Sequence, residues 1–215
     1  MRPRELSRLS SSPRRRPRPE PALAALLLTA ACATASLPRP GVAERAAAAV
    51  SWSGSVRVSV KGKDLRGRSR VLMAFRRPDA VRIEIPGPAG ARLLAVVRGG
   101  RLTAVLPSER AFLESEATAA DLEALLGVAL SPPDLMDILV GIAPAGLRDY
   151  RVRWGDALPR RVEAVLGDGT RLVASVDDAE AGVDLRDVVF APPPHDGHRR
   201  VDAAEARRLL TGGRP

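Results

Sequence analysis

Apolar residues recur at every second position through much of the chain, and this period constrains the fold more than any other feature. Val56, Val58 and Val60 alternate with Arg57 and Ser59; Val71, Met73 and Phe75 repeat the pattern, as do Val81, Ile83 and Ile85. Successive side chains of a strand point to opposite faces, so these segments predict antiparallel strands with one face buried and the other in water. Residues 93–97 and 102–106 flank Gly99-Gly100, a two-residue hairpin signal, and residues 110–114 add a short strand. Residues 152–154, 161–166, 172–176 and 183–190 also read as strands, with Asp168 and Gly169 turning the middle pair. About nine or ten strands result.

The period becomes helical only in short pieces. Residues 44–50, "ERAAAAV", favour a first helix. Thr118 can cap a second, with Asp121 three residues later, a stripe of Leu122, Leu125 and Leu126, and Gly127 as its stop. Ser131 repeats the device: Pro132 occupies the first turn, Asp134 stands third, Leu135, Ile138 and Leu139 pack, and Gly141 ends the helix. A last short helix is expected over 202–210. Helices set in the middle of an antiparallel sheet make an α+β domain in which they cover one sheet face.

The amino terminus follows another logic. Residues 1–21 are arginine-rich, 22–28 are apolar and 29–31 are small, the layout of a secretory signal. The apolar run falls short of the roughly twenty residues that span a bilayer. The single cysteine, Cys32, cannot form an intramolecular disulfide. "LTAAC" resembles the bacterial lipobox, whose cysteine is acylated and becomes the new amino terminus, with Thr29 in the place usually held by Leu. The alternative is an ordinary signal peptide cut near residues 31–35, with Cys32 incidental. The segment "ATASLPRPG" then reads as a tether reaching about 35 Å when extended.

The net charge of +9 suggests nucleic acid at first sight, but residues 1–31 carry seven arginines against Glu5 and Glu20, five of those nine charges. With 3% aromatic residues there is little to stack on bases, so no nucleic-acid partner is expected. Nor is an enzyme. His195 and His198 flank Asp196 in "PPPHDGH", a proline-rich loop expected to be solvated, without the second cluster that a metal site needs. No Ser or Cys sits in a nucleophile motif, and "GPAGA" lacks phosphate-loop spacing. No catalytic residue, metal or cofactor is assigned.

The order of elements, and above all "LLGVALSPPDLMDILVGIAP" over residues 125–144, resembles the LolB-like outer-membrane lipoproteins and their periplasmic relative LolA. The resemblance implies an antiparallel incomplete β-barrel of about 9–11 strands with a helical lid, holding the acyl chains of other lipoproteins. It divides the chain into a lipoprotein-type signal peptide (1–31), a tether (32–42), a lipid-binding domain (43–193) and a C-terminal loop with a short helix (194–215). It further implies palmitate on Cys32, a monomer anchored in the outer membrane facing the periplasm, lipid or lipoprotein acyl chains as ligand, and a LolA-like carrier as loading partner. Ala33 stands where an Asp would retain many Gram-negative lipoproteins at the inner membrane.

In that family an exposed apolar residue in a loop between two strands touches the membrane. The matching positions are Pro88, Ala89 and Gly90, with Leu93 as a possible substitute for the small Ala89. Candidate cavity residues are Val58, Met73, Phe75, Ile83, Val96 and Leu106 on the strands and Leu122, Leu126, Leu135 and Leu139 on the lid. The same side chains would suit an ordinary filled core. Two alternatives therefore stand beside the carrier: a structural or adaptor lipoprotein with a protein partner, and a soluble LolA-like carrier without an acylated cysteine.

Overall fold

The computed structural model describes residues 39–63 and 66–212. The charged leader, Cys32 and most of the expected tether lie outside them. A short helix α1 (Val42–Ala47) opens the domain. The alternating segments then form β1 (Ser51–Lys61), β2 (Arg66–Arg76), β3 (Ala80–Gly87), β4 (Gly90–Arg98), β5 (Arg101–Leu106) and β6 (Ala111–Glu116), each paired antiparallel with the next. Gly99 and Gly100 take φ of 57° and 74°, the left-handed pair that a two-residue hairpin between β4 and β5 requires.

Helices α2 (Ala119–Leu126) and α3 (Pro132–Val140) follow, and then a second meander of β7 (Asp149–Trp154), β8 (Pro159–Val165) and β9 (Arg171–Ala181). Strand β9 docks antiparallel on β1. A two-residue strand β10 (Arg199–Arg200) lies parallel to β6, and α4 (Ala203–Thr211) closes the described chain. The spatial order is β10-β6-β5-β4-β3-β2-β1-β9-β8-β7. Strands β10 and β7 do not pair, so the ten-stranded sheet stays open. The molecule is thus α+β, with all four helices among the described residues packed against one sheet or one another.

One end of the inner face is filled. Trp52 on β1 and Phe75 on β2 are register partners, stack with centroids 6.1 Å apart and 4° between planes, and are both fully buried. The inner side chains of neighbouring strands, Val81, Val97 and Leu102, join them in one apolar cluster with α1, α2 and α3.

Three segments differ from their expected form. Residues 183–190 are not a strand: they fold back over the outer face, ending in a single 3-10 turn, Asp187–Phe190. The Ser51 hydroxyl donates to the Val183 carbonyl at 2.7 Å, and Phe190 packs on Ala74, Ala80 and Val96. The alternation that suggests a strand breaks at Asp187-Val188-Val189, and the one fully buried side chain serves as a plug. The first helix stops at Ala47 because the Val50 carbonyl accepts the Arg77 N–H at 2.8 Å, which draws the chain into the β1–β2 ladder. The tail after Pro193 forms the expected loop and helix, but α4 is built into the domain, with Ala206 fully buried against its core.

Replacing Phe75 by Ala removes a fully buried ring and its stacking partner's support. Urea unfolding followed by tryptophan fluorescence is expected to show a loss of about 3–5 kcal/mol.

Candidate functional site

The two lid helices are fixed by their own ends. In α2 the Thr118 hydroxyl accepts the Asp121 N–H at 3.1 Å and Gly127 ends the helix at φ 77°. In α3 the Ser131 hydroxyl accepts the Asp134 N–H at 3.3 Å, the Asp134 carboxylate accepts the Ser131 N–H at 2.9 Å, and Gly141 ends the helix at φ 85°. Such caps, reciprocal in α3, satisfy backbone donors that a short helix otherwise leaves open. One half-buried ion pair ties the lid to the sheet: Arg77, just past β2, donates through Nη2 to Asp137 of α3 at 2.6 Å and through Nε to the Ala49 carbonyl at 3.3 Å.

Beneath the lid lies a cavity of about 370 Å³, within the size range of small-molecule sites. Its walls are aliphatic: Val56, Val58 and Val60 of β1, Val71 and Met73 of β2, Ile83 and Ile85 of β3, and Leu172 and Ala174 of β9. Leu122, Leu126, Leu135, Ile138 and Leu139 form its roof.

Side-chain size along the strands explains why this half is hollow. The inward positions of β2 run Gly67, Ser69, Val71, Met73, Phe75, growing from nothing to a full ring toward the filled end. A methyl placed on Gly67 would meet nothing within 4 Å. On β9, Ala174 stands between Val58 and Val162 where a larger residue would fill the space.

The mouth arises from a break in pairing. Strand β2 pairs with β3 only over Leu72–Arg76, although its whole length pairs with β1. The next residues of β3, Ile85 and Pro86, coincide with a bulge against β4, and proline has no N–H for a ladder. The β3–β4 hairpin therefore leaves β2, and Gly67, Arg68 and Ser69 face Ile85 and Arg92 across an opening into the cavity. The end of α4 lies over it: Leu210 and Thr211 line the mouth, and Arg92 Nη2 donates to the Leu210 carbonyl.

Seven of the ten cavity candidates, Val58, Met73, Ile83, Leu122, Leu126, Leu135 and Leu139, line this space. Three do not. Phe75 belongs to the filled end, against Trp52. Leu106, at the end of β5, is fully buried in the core cluster. Val96 points outward, since Leu93, Ala95 and Val97 take the inner positions of β4, and Phe190 covers it from behind. Of the proposed membrane-contact residues, Pro88, Ala89 and Gly90 are exposed at the β3–β4 turn beside the mouth. Leu93 is fully buried opposite Ile85, so strand alternation removes it from any contact surface. The sequence signal for the remaining lining residues is the same alternation, and for the opening it is Pro86 and Gly67.

The histidine loop is less solvated than expected. The His195 ring stacks on Phe112 with centroids 4.3 Å apart, and its Nε2 is 3.8 Å from Glu114 Oε1, which fastens the loop to β6. Among the described residues no three His, Cys, Asp or Glu side chains gather as a metal site would require. Behind α3, burial, with the Asp137 charge adding to it, pushes the Tyr150 hydroxyl well above its usual range. That hydroxyl and the Trp52 Nε1 find no hydrogen-bond partner among the described residues.

No family model matches the chain, and no curated protein matches it at a significant level. Similar solved structures include a LolA superfamily protein from Nitrosomonas europaea, 14% identical, TM-score 0.41, covering 73% of this chain and 98% of that one. A DUF1329 family protein from Desulfovibrio piger is 14% identical with TM-score 0.40 over 69% of this chain and 92% of its own. Mycobacterium tuberculosis lipoprotein LppX is 13% identical with TM-score 0.34 over 68% of this chain and 99% of its own.

Neighbouring leucines of α2 separate a hollow from a filled interior. Leu125 is fully buried in the core and Leu126 borders the cavity. Leu125→Ala is expected to cost about 2–5 kcal/mol in chemical unfolding, and Leu126→Ala about 1 kcal/mol or less, because its truncation enlarges a space already present. Tyr150 predicts an alkaline limit. The unfolded chain ionises it from about pH 10 while the fold retains the proton, so its contribution is complete below that pH and falls as pH rises above it. Melting above pH 10 should fall more steeply in the parent than in Tyr150→Phe, and phenolate absorbance of this sole tyrosine should appear with unfolding.

Proposed function

We propose that the protein is a non-enzymatic, lipid-anchored carrier facing the periplasm, which holds acyl chains of lipoproteins or of another lipid in the cavity under its lid and helps bring them to the outer membrane. The observation that carries this reading is the aliphatic hollow itself, open at one end and roofed by two short capped helices. An acyl chain loses about 0.8 kcal/mol per CH₂ on leaving an apolar phase for water, so it crosses water only inside such a shelter. Walls of Val, Leu, Ile and Met return that burial without directional bonds, so chains differing in length or unsaturation can slide into one site.

The tie between Arg77 and Asp137 suits a lid that must open. It is a single half-buried ion pair beside apolar contacts, so α3 can move without unfolding the sheet beneath it. Exposed Pro88 and Ala89 put the mouth within reach of a membrane, although Ala89 buries little apolar area there. Cys32 supplies the anchor, and a LolA-like carrier the cargo. The resemblance of the lid segment to that of LolB-like proteins supports the assignment, and the chain acts in it as a monomer.

Native mass spectrometry of the purified protein is expected to show co-purifying lipid, or uptake of an acyl probe after delipidation. Ala174→Phe, which places a ring in the hollow, should keep the melting temperature within a few degrees and reduce probe uptake at least tenfold. A parent protein that carries no lipid and takes up no probe would favour the adaptor with a protein partner. Palmitate labelling should vanish in Cys32→Ser; label retained in that variant refutes the anchor.

A further inference from the structure

Among the described residues, the ionisable ones that line the cavity are all arginines and all stand at its mouth: Arg66, Arg68 and Arg92. The surrounding strands strengthen the asymmetry. Arg66 and Arg68 alternate with the inward Gly67 and Ser69, so they project from the outer face at the rim of the opening; there Arg66 of β2 is the register partner of Lys61 of β1, and Lys61 of Arg171 of β9, three cations side by side across three strands. Like charges directly opposite one another destabilise a sheet. The next such pair along β1 and β2, Arg57 and Arg70, is relieved, since Arg57 donates to Asp177 at 2.6 Å and Arg70 to the Ser55 hydroxyl at 2.8 Å. Among the described residues no carboxylate pairs with Arg66, Arg68, Arg92, Lys61 or Arg171.

Resting on the chain-binding reading above, we infer that the mouth is a headgroup site, and that the ligand is an amphiphile bearing a phosphate, with its chain in the cavity and its anion on the arginines. The guanidinium fork matches phosphate oxygens bidentately, and Arg92, held along Gly87 by its bond to the Leu210 carbonyl, keeps further donors for such an oxygen. A fully acylated cysteinyl-glycerol group carries no charge and leaves the cationic row unrelieved. An anionic phospholipid relieves it, and the site therefore prefers phospholipid over the acyl moiety of a lipoprotein.

The test uses the full chain and three probes measured by calorimetry: decyl phosphate, decanol and inorganic phosphate. Decyl phosphate is expected to bind about tenfold tighter than decanol at low salt. Raising the salt should narrow that difference in the unmodified protein. Arg66→Gln combined with Arg68→Gln should bring the affinities for the two probes together, and Ala174→Phe should weaken both. Equal affinity for decanol and decyl phosphate overturns the headgroup site while chain binding stands. Binding of neither overturns the chain-binding reading as well. Inorganic phosphate bound as tightly as decyl phosphate, and unaffected by Ala174→Phe, identifies a free-anion site and overturns the amphiphile.

Discussion

An open sheet with one apolar face must be covered from outside, and everything distinctive about this molecule follows from how little covers it. Ten strands present inward rows of Val, Leu, Ile and Met, while α2 and α3 contribute eight and nine residues to the roof. Helices of that length can span such a face at one level but cannot fill the space beneath them at both ends. The residues settle which end is filled. Trp52 and Phe75 occupy one level completely, and Gly67, Ser69 and Ala174 withhold volume at the other. A close-packed interior tolerates voids only where surrounding packing holds them open, and the Trp52–Phe75 end is the support from which the hollow extends.

The mouth has a backbone cause rather than a side-chain one. Beyond Leu72 and Glu84 the β2–β3 ladder stops, because Pro86 cannot donate and a bulge turns the hairpin toward β4. Six residues of β2, from Arg66 to Val71, therefore pair on one side alone. In a closed barrel those groups would meet a neighbour and no lateral entry would exist. The end of α4 crosses the gap instead, joined there by one bond from Arg92, so the entrance is framed by elements far apart in sequence.

That separation marks the limit of what the sequence discloses. Alternation identifies the strands because it is local, and capping residues identify α2 and α3 because each cap needs only its own three neighbours. Thr118, Ser131, Gly127 and Gly141 all act as such reading predicts. Which face a residue occupies is local too, provided the frame is right: Leu93, Ala95 and Val97 point inward, so Val96 cannot. Val96 nevertheless has the apolar character of a core residue, because Phe190, about ninety positions away, covers it from outside. Residues 183–190 mislead for the same reason, their apolar content serving a plug on the outer face. Leu106 is apolar for the filled core and not for the cavity. The hollow was legible only as a size gradient along β2, a pattern whose meaning depends on knowing that nothing crosses from the lid to meet Gly67.

Net charge illustrates the same distinction between amount and placement. Five of the nine formal positive charges lie in the leader, and the remaining excess is modest for a domain of this size. Away from the mouth, outer-face arginines are matched: Arg57 with Asp177, Arg76 with Asp187, Arg82 with Glu84, Arg161 with Glu163. These exposed pairs add little stability, but they cancel local fields. At the outer rim of the mouth, among the described residues, the cancellation ends, and a row of cations begins beside the opening into an aliphatic hollow. Water screens exposed charges but weakens their attraction for an anion less where apolar walls exclude part of the solvent. A ligand with both a chain and an anion therefore gains on both counts from one position. A ligand with only one of them leaves either the hollow or the cations unsatisfied.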